Sequence, residues 1–504
     1  MSTPAPSFCG LSAATLLNER GVDIVVLEAN DYVGGRTLTV KPSTKEEELQ
    51  FGWVDLGASY VGPTQDHVLR LCKTLGCETY LCKDNHDNIH YSRGRRCRYT
   101  SSWPCFWWSN PFAAWDLRSA IIKIQEMVDQ VPEDCPWKAA KAIEWDKMTF
   151  KEFLNKQCWT RDAKEFLEAL CIINNTADDH QVSLLFFLWY VRQGQGINRI
   201  WRIKGGAEER KIVGGSQQLC LKMAQKLGGK VVLKKPVFQV GHMDDGIMVK
   251  TTDGTVYNGS YVILAIPPVT HMKIHFDPPL PSLRHGLIQR TPMGLVIKWI
   301  AFFREEFWVE KGLNGFVTCM DGIEVVTNVG EDYKPGVSSY GLICFICGQH
   351  AVRLSQLTAT ERKNHIYKVI ADYEVVHFEE KMWAQEQYIG GCYTSYYPPG
   401  VLSQYGPALR EPLGTRVFLA GTETARKWTG YMNGAIEAGE RAARQVLHAQ
   451  GKIPSDEVWL DEPKCETVPP LKLCWLETHQ PSLGMLLAVI VLLISLFIAL
   501  LQLY

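Results

Sequence analysis

The stretch GLSAATLLNERGVDIVVLEANDYVGGRT, residues 10–37, decides the fold. Residues 10–20 read as a helix, and Gly21 stands where a helix closes in a left-handed residue. Residues 23–29, DIVVLEA, follow at once as a short apolar run with a branched centre, which suits a strand buried on both faces. A helix passing directly into such a strand is the second half of a βαβ unit. Glu28 and Ala29 close that strand, where an acidic side chain in a dinucleotide fold accepts hydrogen bonds from ribose hydroxyls. Gly34, Gly35 and Arg36 come next, and glycines there let the backbone approach a phosphate. The strand expected before Gly10 is not legible: MSTPAPSFC has two prolines and no alternation. Of a GxGxxG motif only the third glycine, Gly10, stands, with Ala5 and Ser7 in the first two places.

Working outward, VDLGASYVG (54–62) adds a second glycine-bearing strand and turn, and the two together point to FAD rather than NAD. Residues 79–204 carry helical periodicity, as at 163–173 and 182–193. Residues 230–268 turn to strand signals around a hairpin turn at Asp253-Gly254 and end in YVILAIPP. A mixed segment runs from 296 to 387, and VFLAG (417–421) reads as a last buried strand leading into a helix over 430–448. The expectation is a doubly wound, Rossmann-like α/β FAD-binding domain in three parts (1–78, 205–285, 387–450). An α+β substrate domain (79–204, 286–386) is interleaved with it.

At 504 residues the chain is long enough for two or three cores, and 46% apolar with 21% charged residues is globular composition. A net charge of -1 without a basic run gives no reason to expect nucleic acid. Sixteen cysteines form no regular framework, and the lone CxxC, Cys344 and Cys347, lies in the apolar run GLICFIC with no second pair. Free thiols and no metal site are expected. The first ten residues have no basic and then apolar region of a signal peptide. At the other end, a Pro- and charge-rich linker (451–482) leads into the almost wholly aliphatic residues 483–503. That length spans a bilayer as a helix, and its Leu, Ile, Val and Phe favour insertion by several kcal/mol (about 0.3 to 0.6 each). A C-terminal membrane anchor is expected.

The strings VLEANDYVGGRT, VDLGASYVGPTQ, FLWYVRQ, ERKIVGGS, EQYIGGCYTSYYPPG and AGTETARKWTGYMNGAIEAGERAA resemble the flavin monoamine oxidase family, from Gly10 to the anchor. The resemblance implies FAD held covalently by a thioether from Cys392, in GGCYT, to the 8α carbon of the ring. It implies Trp383 beside the isoalloxazine, and Tyr393 and Tyr431 as an aromatic cage that orients the amine. Lys298, in GLVIKWI, would hold a water near the flavin and assist reoxidation by O2. Gly10, Glu28, Ala29, Gly35, Arg36, Val237, Glu423 and Met432 fall on cofactor-binding positions. Ile173, Asn174, Trp201, Glu208, Cys319 and Phe345 fall on cavity-lining positions, while Cys158 and His377 fall on activity-associated positions for which a structural role is expected.

Three departures stand out: Trp201 replaces a smaller Phe or Ile, Glu208 stands where the family has Gln, and IADYEVVHFEEK is several residues short. The implied reaction is oxidative deamination of primary (aryl)alkyl amines to aldehyde, ammonia and hydrogen peroxide. Two alternatives stay open, a non-catalytic membrane-tethered homologue and a polyamine-type oxidase. The implied location is the mitochondrial outer membrane, facing the cytosol. The absence of Lys or Arg after the apolar run leaves the endoplasmic reticulum open, and a homodimer is likewise left open.

Overall fold

The helix expected at 10–20 forms as Phe8–Glu19 in the computed structural model, which describes residues 7–42, 50–100, 103–104, 106, 110–319, 328–369, 373–468, 488, 491–495 and 498–499. Residues 8–14 of this helix are all buried, so it is a core helix rather than an amphipathic surface one. Gly21 follows with φ +68°, as the sequence requires of a left-handed closing residue. The helix packs along Met432–Ala449. Their close approach depends on Gly439, because a Cβ there would stand 2.2 Å from the Cys9 carbonyl oxygen.

The strand expected at 23–29 shortens to Val26–Leu27, parallel to Val231–Val232. A second parallel pair joins Val262–Leu264 to Val417–Leu419. Val26, Ile263 and Phe418 share one core with the two helices, whereas Leu27, Val262, Leu264, Val417 and Leu419 share the opposite core. Alternation along the strands thus sets both pairs in one layer between two apolar cores. The first strand is short because, among the described residues, it has one ladder partner. The segment before it, residues 1–6, lies outside the described residues. The expected hairpin forms from Gly246–Thr251 and Val256–Gly259 and extends by Val237–Met243 and His275–Asp277 into a four-stranded sheet.

A seven-stranded mixed sheet makes the second body, in the order His377–Met382, Val296–Phe303, Tyr340–Cys347, Asn328–Glu331, Leu313–Cys319, Asp87–Ser92, Arg95–Tyr99. Only the Leu313–Cys319 and Asp87–Ser92 pairing is parallel. All eight residues of Val296–Phe303 are buried, which explains an apolar run without alternation. Helices Pro111–Val128, Arg161–Asn175 and Leu184–Gln193 pack as a separate apolar core. The last starts at Ser183, whose hydroxyl accepts from the Phe186 amide, so it begins two residues later than the periodicity suggests. Among the described residues no cysteine forms a disulfide.

Most of 483–503 lies outside the described residues. Val491 to Ser495 are helical and exposed, and among the described residues no helix is long and apolar enough to cross a membrane.

Replacing Gly439 by Ala should destabilise the chain by about 1–3 kcal/mol through overpacking against the Cys9 carbonyl. A drop in thermal midpoint relative to the parent checks this.

Candidate active site

Gly390 and Gly391 both have positive φ, and a Cβ on Gly391 would lie 2.5 Å from the Gly294 carbonyl oxygen. Glycine therefore lets the loop carrying Cys392 lie against the segment that leads into the Lys298 strand. The Cys392 amide donates to the Gly294 carbonyl (3.0 Å), and the Thr176 hydroxyl donates to the Cys392 carbonyl (2.7 Å). Beside this loop is a cavity of about 860 Å³. It brings together Arg36, Ile173, Asn174, Trp201, Glu208, Lys298, Phe345, Trp383, Cys392, Tyr393, Tyr431 and Met432, and it reaches Ser7, Phe8 and Cys9 at the start of the first helix.

The Lys298 ammonium, buried in its strand, donates to the Gly57 carbonyl (2.8 Å) and the Ser59 hydroxyl (2.9 Å) and sits 5.3 Å from the centre of the Phe345 ring. Burial pushes its pKa down to about 8, against the opposing pull of the Asp55 carboxylate. The Trp383 indole is fixed by a 2.9 Å bond from Nε1 to the Leu56 carbonyl. Tyr393 stands edge-on to Phe345 at 5.9 Å and 81°. Tyr431, capping the Met432–Ala449 helix, accepts a 2.8 Å hydrogen bond from the Tyr190 hydroxyl and packs edge-on to Trp428 at 4.9 Å. Burial pushes the Cys392 thiol up to about 12, with the nearby Arg36 guanidinium pulling the other way, so the sulfur is a neutral thiol at ordinary pH.

Arg36 and Glu423 form a buried pair at 2.8 Å, and Arg36 also donates to the Tyr393 carbonyl at 2.8 Å. Burial alone would raise the Glu423 carboxyl; the guanidinium outweighs it and holds the group below the usual range. Glu423 thus faces Arg36 and Thr394 rather than the cavity. Glu28 is wholly buried, with Oε1 accepting from the Asn30 amide (2.7 Å) and Oε2 left without a partner. Burial raises its pKa to about 8. An orphaned carboxylate oxygen at this strand end fits a ribose hydroxyl donor.

Other expected positions lie off the cavity wall. Gly10 is inside the first helix, Gly35 and Ala29 sit in the backbone beyond the Val26–Leu27 strand, and Val237 packs with Leu27 below Glu28. On Leu313–Cys319 the alternation turns Phe316 and Thr318 to the cavity, so Cys319 is buried but does not line it. Cys158 ends Phe150–Gln157 and packs on the helical core. His377 stacks on Phe51 at 4.6 Å and pairs with Glu379 at 2.8 Å, in the sheet and away from the cavity. Trp201 stacks on Trp103 at 6.0 Å and 11°, which holds it rigidly at the wall. Tyr190, Tyr60, Gly57 and Ser59 are site residues that reading by role did not single out, although they lie in the strings FLWYVRQ and VDLGASYVG. Nothing local marks them, since their partners are hundreds of residues away in sequence.

A layer of parallel strands together with a deep, aromatic-walled cavity defines the class: a protein built to hold a dinucleotide cofactor beside a small-molecule pocket. The family model described as flavin containing amine oxidoreductase matches residues 8–447. The flavin-containing amine oxidase B of Bos taurus is 44% identical over 490 residues, covering 95% of this chain and 92% of its own length. That of Homo sapiens is 44% identical over 491 residues with the same coverage. Among solved structures, cyclohexylamine oxidase from Brevibacterium oxydans superposes with a TM-score of 0.83 at 28% identity, covering 89% of this chain and 99% of that one. Putrescine oxidase bound to putrescine gives 0.82 at 27% identity, covering 89% and 98%. The chain belongs to the flavin-containing amine oxidoreductase family, as the sequence resemblance implied.

Glu423→Gln should cost about 3–5 kcal/mol by leaving the Arg36 charge unpaired. Because the folded carboxyl is depressed, its stabilisation is complete above the unfolded value of about 4.3 and is lost as pH falls through the folded value. Denaturant titrations across the acid range should show that pH slope in the parent and lose this contribution in the variant.

Proposed function

We propose that this chain deaminates primary alkyl and arylalkyl amines oxidatively, giving aldehyde, ammonia and hydrogen peroxide at the expense of O2. The observation that carries this reading is the meeting of Lys298, Trp383, Cys392, Tyr393 and Tyr431 around one cavity. Two observations support FAD as the cofactor: the partnerless Glu28 oxygen at the dinucleotide end and the Cys392 thiol lining the cavity. When bound, FAD supplies the two-electron acceptor.

The side chains then have separable tasks. Cys392 is the residue that would hold the ring through a thioether. Tyr393 and Tyr431 present aromatic walls that orient the amine nitrogen, and Tyr190 fixes the second of them by its hydrogen bond. Trp383 supports the ring region, and Lys298, held by Gly57 and Ser59, positions a water and assists the reaction with O2. Ile173, Asn174, Trp201 and Phe345 exclude solvent from the reacting nitrogen, which must be the free amine. Glu28, Ala29, Gly35, Val237 and Met432 serve the dinucleotide, and the Arg36–Glu423 pair fixes the backbone around it.

The interleaved domain division given above, with FAD-binding parts at 1–78, 205–285 and 387–450, belongs to the same reading. Residues 483–503 anchor the chain in a membrane, a reading supported by Val491, Leu492 and Leu493 at 61%, 63% and 58% exposure. The resemblance favours the mitochondrial outer membrane with the site facing the cytosol, with the endoplasmic reticulum as the alternative.

Purified protein should be yellow, should stay yellow in the pellet after acid precipitation, and should carry an FAD adduct by intact mass. Cys392→Ala should lose the adduct. A bare polypeptide mass for the parent would replace the oxidase with a tethered, non-catalytic homologue. Lys298→Met should slow reoxidation of the reduced protein by O2 more than its reduction by amine, measured separately by stopped flow.

A further inference from the structure

Glu208 has no part in the chemistry assigned above, yet its side chain lines the same cavity as Tyr190, Trp201 and Tyr431. Among the described residues no hydrogen bond reaches its carboxylate; Lys211 is the cation whose field does. That lysine is committed elsewhere, donating to Asp332 Oδ1 and the Glu331 carbonyl at 3.0 Å each and lying 4.8 Å over the Tyr60 ring. Glu208 leads directly into Glu209 and Arg210. Arg210 makes a two-point pair with Glu466 (2.7 and 2.8 Å), where residues 466–468 border the cavity and the Glu466 side chain is 43% exposed. The field of the Glu208 carboxylate is felt at Tyr190, Tyr393 and Tyr431.

We propose that Glu208 seats a second, cationic amino group of the substrate, so that diamines are preferred, one nitrogen reacting at the phenol-walled end and the other pairing with this carboxylate. The placement of the first nitrogen rests on the oxidase reading above. The physical case is that a half-buried carboxylate lining the cavity, with no hydrogen-bond partner among the described residues, gains by pairing with a cation that enters the cavity. A substrate with an apolar far end offers it nothing. Burial raises the Glu208 carboxyl to about 7, so the group is about half charged at neutral pH and its charge grows above it.

Calorimetric binding of hexylamine and hexane-1,6-diamine to the full-length holoprotein, kept reduced by dithionite in the absence of oxygen, tests the assignment. The parent should bind the diamine about tenfold more tightly, and Glu208→Gln should abolish the preference. No preference in the parent, or a preference that survives in Glu208→Gln, overturns the proposal. Should that variant fail to fold, the parent alone decides between about pH 7.5 and 5.5. The preference should fade as Glu208 protonates at the acid end, and a constant preference overturns the proposal. Around Glu208, burial holds the Tyr60, Tyr190, Tyr393 and Tyr431 hydroxyls up and Cys82 at about 12. Lys211 is likewise held up, by its phenolic and acidic neighbours against burial, and the Arg210 guanidinium is held up by its pairing with Glu466. Lys298, at about 8, titrates above this window. Oxygen consumption with both amines separates the two readings. Diamine preference without turnover defeats the oxidase and keeps Glu208 as a cation site, whereas turnover without preference does the reverse.

Discussion

A guanidinium near the start of the chain clamps the site together. Arg36 lies 2.8 Å from the Glu423 carboxylate and 2.8 Å from the Tyr393 carbonyl, so two late segments, 387 and 357 positions away in the chain, converge on one planar fork. Glu423 is almost completely buried, and a carboxylate there is tolerable only with a cation and hydrogen bonds around it. The arrangement fixes the peptide after Cys392 relative to the glycine turn after the first strand. It ties the phenol wall to the dinucleotide layer through a guanidinium that itself borders the cavity.

The rest of the site is rigid for similar reasons. Lys298 is borne on a strand buried along its whole length and paired on both sides, with Phe345 directly across the ladder. Its ammonium is satisfied by a carbonyl and a hydroxyl rather than by a carboxylate, which leaves burial to dominate its titration. Trp383 and Tyr431 are each pinned by one polar atom while their faces pack against apolar or aromatic groups. Rings held this way lose little freedom when a planar ligand arrives. The cavity is therefore preorganised for a flat cofactor and a small amine, while the Glu208 wall is set toward charge.

Much of this was legible from residues alone. The run ending in Glu28 announced a buried strand and an acidic end, and Gly34-Gly35-Arg36 announced a tight turn. Asp253-Gly254 gave a hairpin that forms, and GLVIKWI gave a lysine inside a core strand. Boundaries were less legible. Residues 23–29 suggested seven strand residues and two form, because ladder length is set by the partner strand and not by the run itself. Cys319 was expected on the cavity wall, but strand alternation gives that face to Phe316 and Thr318, and a register cannot be read from one strand.

What the sequence determined by itself was the kind of chemistry: a dinucleotide layer, a thiol between two glycines and an aromatic residue, and an isolated core lysine. These are local signals, since each depends on residues within a few positions of one another. Tertiary structure decided the partnerships. Glu423 pairs with Arg36 and Thr394. Tyr190 supports Tyr431, and Lys211 answers Asp332, which leaves Glu208 without a partner of its own. Such pairings join residues up to 387 positions apart. They follow from how sheets and helices dock, for which no single stretch of chain carries the instruction.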